Sequence, residues 1–132
     1  MFEYTRALTS FSVDDVPKAR AFYGETLGLK ISGQDGALFL HLADGNDTLV
    51  YPKPDHIPAS YTVLNFVVED IDEAVERLGS RGVRFLRYDE HGTDDKGVVR
   101  SPDRDIAWFA DPAGNVHSVV QMKAPLPVAG AS

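Results

Sequence analysis

The chain has 132 residues, 43% hydrophobic and 25% charged, enough for one folded domain with a real core and too apolar for a disordered chain. Thirteen Lys and Arg against twenty Asp and Glu give a formal charge of −7, with no basic stripe of interleaved aromatics, so nucleic acid is excluded as a partner. There is no cysteine, which removes disulfides, Cys-ligated zinc and thiol nucleophiles. No apolar run approaches the roughly 20 residues that cross a bilayer. The opening Met1-Phe2-Glu3-Tyr4-Thr5-Arg6 lacks the basic-then-apolar layout of a secretory signal, so a cytoplasmic protein without a membrane partner is expected.

In chain order, a strand is expected over 5–13 and a helix over 16–27. Asp14 or Asp15 can cap that helix, Pro17 sits in its first turn where a missing N–H costs nothing, and Ala19, Phe22, Tyr23 and Leu27 share one face. Gly28 is placed to end it. Short strands follow over 30–32, 37–42 and 48–51, parted by Gly33-Gln34-Asp35-Gly36 and Asp44-Gly45-Asn46-Asp47. Three prolines within 52–58 make a stiff connector that cannot lie inside a ladder.

The pattern then restarts. A strand is expected over 61–68, and Asp70-Ile71-Asp72-Glu73 reads as a capping box for a helix with Ile71, Ala74, Val75 and Leu78 on its apolar stripe. Strands follow over 83–88, 106–110 and 116–122. A polar stretch, 89–105, breaks the spacing and is read as either a lid or a mobile loop. The turn Asp111-Pro112-Ala113-Gly114-Asn115 precedes the last strand, and 124–132 is expected to be a disordered tail.

The repeat is visible in the letters. Val13-Asp14-Asp15-Val16 echoes Val68-Glu69-Asp70-Ile71, and Gly45-Asn46 echoes Gly114-Asn115, each pair preceding a strand. The reading is an α+β fold: a single domain, 1–123, of two βαβββ modules, about 5–53 and 60–122. Their curled mixed sheets surround a cleft, with the helices outside. One such unit leaves a sheet face uncovered, so a homodimer is expected.

Three segments carry a family resemblance. Residues 11–23, with the Phe22-Tyr23 pair and Leu27-Gly28-Leu29 after it, the segment 68–74, and the turn 111–115 together resemble the vicinal oxygen chelate superfamily of glyoxalase I, bleomycin-resistance proteins and extradiol dioxygenases. The resemblance spans about 7–121. It implies four metal ligands, His, Glu or Gln, one from each module's first and last strand. Here those positions carry Leu8, Val63, Ser118 and one of Leu49, Val50 or Tyr51. Aliphatic and hydroxyl side chains make no shell for a divalent ion, so neither a metal nor any other cofactor is expected. His41, His56, His91 and His117 show no ligand spacing, and each reads as a solvated or packed histidine, His117 pointing away from the face of Ser118.

Period two assigns Leu8, Ser10, Ser12, Leu49, Tyr51, Val63, Asn65, Val67, Ser118 and Val120 to the inward face, an apolar wall with a few hydroxyls and one amide. The candidate ligand-binding residues are therefore Ser10, Ser12, Tyr51, Asn65, Trp108 and Ser118. Asn65 is either a ligand-orienting amide or a core amide bonded to Ser10 or to backbone. Tyr51 and Trp108 offer stacking surfaces, and Lys53, His56 and Arg100 could meet an anion at the rim. The expected function is metal-independent binding of a small organic, aromatic or drug-like ligand. The alternative is a lyase, isomerase or dioxygenase-like enzyme acting on a small carbonyl or aromatic compound. No inward-facing residue supplies its base, which leaves His91 and Asp94 of the polar stretch as nominal candidates.

Overall fold

In the computed structural model, which describes residues 1–125, the first strand is shorter than its alternation suggests. β1 covers Thr9–Val13 and buries Phe11 and Val13. Asp15 caps α1, Val16–Arg20, by accepting from Lys18 N at 3.0 Å. The helix expected to reach residue 27 is α-helical only this far. It widens into a π turn over Ala21–Thr26, in which Leu27 N donates to Phe22 O at 2.9 Å. This turn sets the Phe22 and Tyr23 rings edge to face, 5.1 Å apart, with Tyr23 fully buried.

β2, Lys30–Gln34, and β3, Ala37–His41, form a hairpin closed by Asp35 and Gly36, both at positive φ (53° and 80°). That is the conformation a two-residue turn needs, and Asp-Gly supplies it. β4, Asp47–Pro52, pairs antiparallel with β3 and parallel with β1, giving the order β1-β4-β3-β2. α1 packs on β3 and β4. Leu38, Leu40, Thr48 and Val50 are buried with Phe11, Val13, Ala19 and Tyr23.

The second sheet repeats this order as β5-β8-β7-β6. β5 covers Thr62–Val67, and α2 covers Ile71–Ser80 with Ile71 and Val75 buried. Asp70 caps α2 by accepting from Glu73 N at 3.1 Å. The reciprocal half of the capping box is not formed, because the Glu73 carboxylate accepts from Arg77 at 2.8 Å instead. β7, Arg104–Ala110, lies between β8, Val116–Met122, and the short β6, Val98–Arg100.

The strand expected over 83–88 is reduced to one bridge, Phe85 to Phe109, and a bond from Leu86 N to Trp108 O. β6 takes the rest of that β7 edge. The polar residues between the two pieces have no apolar alternation to hold them in the ladder. Asp94 instead gathers them into a turn, accepting from Lys96 N and Val98 N at 2.9 Å each.

By contact density the described chain forms two units: Met1–Ala59 with Asp111–Asn115, and Ser60–Ala110 with the chain from Val116 onward. The expected tail lies outside the described residues from 126 on. Among the described residues no helix is long and apolar enough to cross a membrane.

Candidate functional site

β5 and β8 fall out of step by one residue between Thr62 and Asn65, a bulge that leaves the Leu64 N–H without a ladder partner. His117 fills that gap, its Nδ1 accepting from Leu64 N at 3.2 Å. Fully buried beside Phe66 and Phe109, it is a packed core histidine, as its alternation with Ser118 predicts. Past the bulge, Asn65 lies opposite Ser118, and Ser118 opposite Trp108, so three candidate residues form one transverse row on one face. Ser118 Oγ donates to Asn65 Oδ1 at 2.7 Å. Asn65 is exposed and not a core amide; its side-chain oxygen takes the Ser118 hydroxyl, and no hydrogen bond from its amide N–H groups is seen among the described residues.

Trp108 also walls a half-open hollow of about 220 Å3, shared with Ser60, Tyr61, Thr62, Tyr88, His91 and Val116. Tyr88 stands edge-on to Trp108 (5.2 Å, 88°), and the His91 ring lies over it at 6.0 Å. Tyr88 and Trp108 thus meet in the edge-to-face geometry aromatic pairs prefer, and His91 is tilted 39° to Trp108. Tyr88 was not legible as a site residue, and His91 was legible only as a nominal base of the polar stretch. Both lie in the excursion between the two pieces of the β7 edge. Within the 89–105 stretch the chain leaves the sheet only before β6: Arg87 donates to the carbonyls of Asp94 and Asp95, and Asp89–His91 forms one 3₁₀ turn.

In the first unit, Ser10, Ser12, Leu49 and Tyr51 share the face turned away from the core, with Ser12 opposite Tyr51. Ser12 is tied to His56, whose Nε2 faces the carbonyl of Ala113 at 3.0 Å and whose Nδ1 lies 2.6 Å from Ser12 Oγ. A carbonyl only accepts, so Nε2 carries the ring proton and Ser12 donates to Nδ1.

The other proposed rim cations are also committed. Lys53 pairs with Asp55 at 2.7 Å. Arg100 is shared among Asp72 (2.6 Å), Asp94 (3.3 Å) and Asp105 (3.4 Å). Three carboxylates around one guanidinium leave it little capacity for an anionic ligand. The Arg100 hydrogen bond holds Asp72 below the usual carboxylate range. Burial opposes the same shift in Asp94, and the Val98 and Lys96 amides outweigh it. Asp94 is an acceptor engaged by the turn amides and by Arg100.

The turn 111–115 owes its letters to packing. Asp111 accepts from Ala113 N (2.9 Å), Asn115 N (2.8 Å), Asn115 Nδ2 (3.1 Å) and the Tyr23 hydroxyl (2.6 Å). Asn115 Nδ2 also reaches Ser12 O at 2.9 Å. Burial first, then the Asp111 charge and hydrogen bond, push the Tyr23 hydroxyl far above its ordinary range, so it stays a donor.

The ligand positions implied for a metal do not fit one. Leu8 lies just outside β1 and is exposed, Val63 sits in the bulge, Val50 turns into the core, and Ser118 is spent on Asn65. Among the described residues, no group of three or more His, Asp or Glu stands close enough to hold a metal ion.

A family model, the Glyoxalase/Bleomycin resistance protein/Dioxygenase superfamily, matches residues 6–119. Among solved structures, TnmS3, an antibiotic binding protein from Streptomyces sp. CB03234, is 27% identical, with 92% of this chain and 100% of that chain covered and a TM-score of 0.67. A superfamily member from Sphaerobacter thermophilus DSM 20745 is 23% identical (89% and 98% covered, TM-score 0.67). Lactoylglutathione lyase from Agrobacterium tumefaciens is 20% identical (90% and 94%, TM-score 0.65). The last two likenesses carry the fold alone.

Proposed function

The chain belongs to the Glyoxalase/Bleomycin resistance protein/Dioxygenase superfamily, and from that premise we propose that it is a metal-independent, cytoplasmic binding protein for a flat, drug-like aromatic ligand. The observation that carries this reading is Trp108, which is at once a wall of the aromatic hollow and the end of the row that leads through Ser118 to the unspent amide of Asn65. An aromatic platform beside one orienting amide is the lining that suits a planar ligand with a polar edge. At about 220 Å3 the hollow is smaller than the ~300–1,000 Å3 of a whole drug site, so it takes one ring and leaves the remainder on the open face. The likeness to an antibiotic-binding protein makes planar antibiotics the first class to try.

Trp108 is the one tryptophan of the chain, so its fluorescence reports on this hollow alone. Titration with a panel of planar aromatic antibiotics is expected to give saturable quenching and a raised thermal midpoint. If no member of the panel does either, the reading is rejected. We also propose that the protein works as a homodimer. Exposed Tyr51 and Val67 on the strands support this, and light scattering decides it.

One observation favours a second reading. His91 brings an imidazole into the wall of the hollow, where a lyase or isomerase acting on a small carbonyl compound needs its base. Turnover of such a compound that is lost in His91→Gln would select it over simple binding.

A further inference from the structure

On the face of the first sheet that carries Leu49 and Tyr51, three side chains unrelated to the hollow stand in a chain of hydrogen bonds. Ser32 Oγ lies 2.8 Å from His41 Nε2, and His41 Nδ1 lies 2.8 Å from Asp47 Oδ1. Strand pairing builds the constellation. His41 and Asp47 are directly opposite across β3 and β4, and Ser32 is two residues from Lys30, the partner of His41 across β2 and β3. Period two puts all four on one face. Arg6 pairs with the other Asp47 oxygen at 2.5 Å, which fixes the carboxylate.

The polarity of the chain follows from its end. The hydrogen bond from His41, followed by that from Arg6, holds Asp47 below the usual carboxylate range, so it is an acceptor at neutral pH. It therefore takes the Nδ1 proton, His41 Nε2 is left with its lone pair, and Ser32 must donate. A nucleophile bonded to a base that is itself oriented by a carboxylate is the arrangement acyl transfer uses. The Ser12–His56 pair lacks the anionic member, because its imidazole is oriented only by the neutral Ala113 carbonyl.

We propose that Ser32, His41 and Asp47 form a nucleophilic acyl-transfer site for small, unhindered esters. Ser32 Oγ bonds to the ester carbonyl carbon while its proton passes to His41 Nε2. The carbon–oxygen bond to the leaving group breaks, and that proton goes to the departing oxygen. Water repeats the sequence on the acyl-serine, releasing a carboxylic acid and restoring Ser32. Asp47 is a positioning residue that sets the tautomer. Lys30, opposite His41, adds a positive charge on the face where the oxyanion develops. β2 is an edge strand and Ser32 is exposed, so nothing encloses a long acyl chain, and short acyl groups with good leaving groups are the matching substrates.

The test treats the full chain with p-nitrophenyl acetate, quenches in acid and maps the acetyl group by peptide mass spectrometry. The acetyl group is expected on Ser32 and absent from that peptide in Ser32→Ala. His41→Gln should slow acetylation by about 100-fold. Asp47→Asn should slow it at least roughly tenfold, and nitrogen NMR of the His41 ring should show the proton moved from Nδ1 to Nε2, a change that loss of packing alone does not produce. These positions are solvent-touched, so circular dichroism is expected to show each variant folded. Acetyl found only on lysines or the N-terminus, or Ser32 acetylated at an unchanged rate in His41→Gln, overturns the proposal. An unchanged rate in Asp47→Asn removes Asp47 from it.

Discussion

The two units use one strand order and one helix placement, and they differ where the hairpin edge is built. In the first, Asp35-Gly36 closes β2 onto β3 in two residues, and the edge strand runs unbroken. In the second, the equivalent edge is split between a bridge at Phe85 and the strand Val98–Arg100, and the chain between them leaves the sheet. The aromatic hollow sits in the unit with the interrupted edge. The regular unit carries serine–imidazole pairs on a flat face instead. A repeat thus dictates which strands pair, while a departure from it supplies concavity.

The sharpest contrast is between the two Gly-Asn turns, 42–46 and 111–115. Asp111→Ala strands two backbone amides, the Asn115 amide and the Tyr23 hydroxyl, and is expected to cost about 3–5 kcal/mol in urea unfolding. In the counterpart turn Leu42 holds the place of Asp111, and the nearby Asp44 carboxylate accepts only from Asn46 N at 3.3 Å on the surface, so Asp44→Ala should change stability by less than about 0.5 kcal/mol. Equal losses would mean that the turns do the same job.

His117→Ala should cost about 2–4 kcal/mol by the same assay, since it opens a core cavity and strands Leu64 N–H at a bulge that β1 and β4 do not have. For binding, Trp108→Ala should weaken any aromatic ligand by roughly 10–100-fold in calorimetry, whereas Tyr51→Ala tells whether the first sheet takes part. Tyr23 yields a pH effect. Its folded hydroxyl titrates above the unfolded value of 10.0, so the native state keeps a proton that the unfolded chain loses. Its contribution is complete below that pH and falls by about 1.4 kcal/mol per pH unit above it. Tyr23→Phe should flatten that alkaline slope relative to the unmodified chain. Smallest of all, Asn65→Ala should lower ligand affinity by about 1 kcal/mol and leave the unfolding midpoint almost unchanged.

Periodicity and turn residues made the fold legible because both are local: the Ile71 stripe, the Asp15 and Asp70 caps and the Asp-Gly turn all form as their letters imply. The failures have non-local causes. Residues 83–88 alternate well enough for a strand, yet the edge they would occupy is taken by Val98–Arg100, a competition no local pattern records. The first helix widens after Arg20, where Tyr23 is drawn to a carboxylate 88 residues away in the sequence. In the candidate site, the shared face of Asn65 and Ser118 was legible because strand faces follow a period of two, and Trp108 stood out as a stacking aromatic. Tyr88 was not legible, because its direction depends on the broken edge, and His91 was legible only as a nominal base. Arg100 read as a free cation because its three carboxylates come from α2, the excursion and β7.

The Asp111 turn has a further consequence for dissecting the molecule. It groups with Met1–Ala59, although the 51 residues 60–110 must be made after Ala59 before it appears. A cut between Ala59 and Ser60 would give an amino-terminal fragment with no carboxylate for Tyr23 and no carbonyl for His56. The sequence duplicates in halves, but the halves are not severable: split expression should yield an amino-terminal piece that matures only when its complement is co-produced, and during synthesis that half waits for the ribosome to reach Asn115.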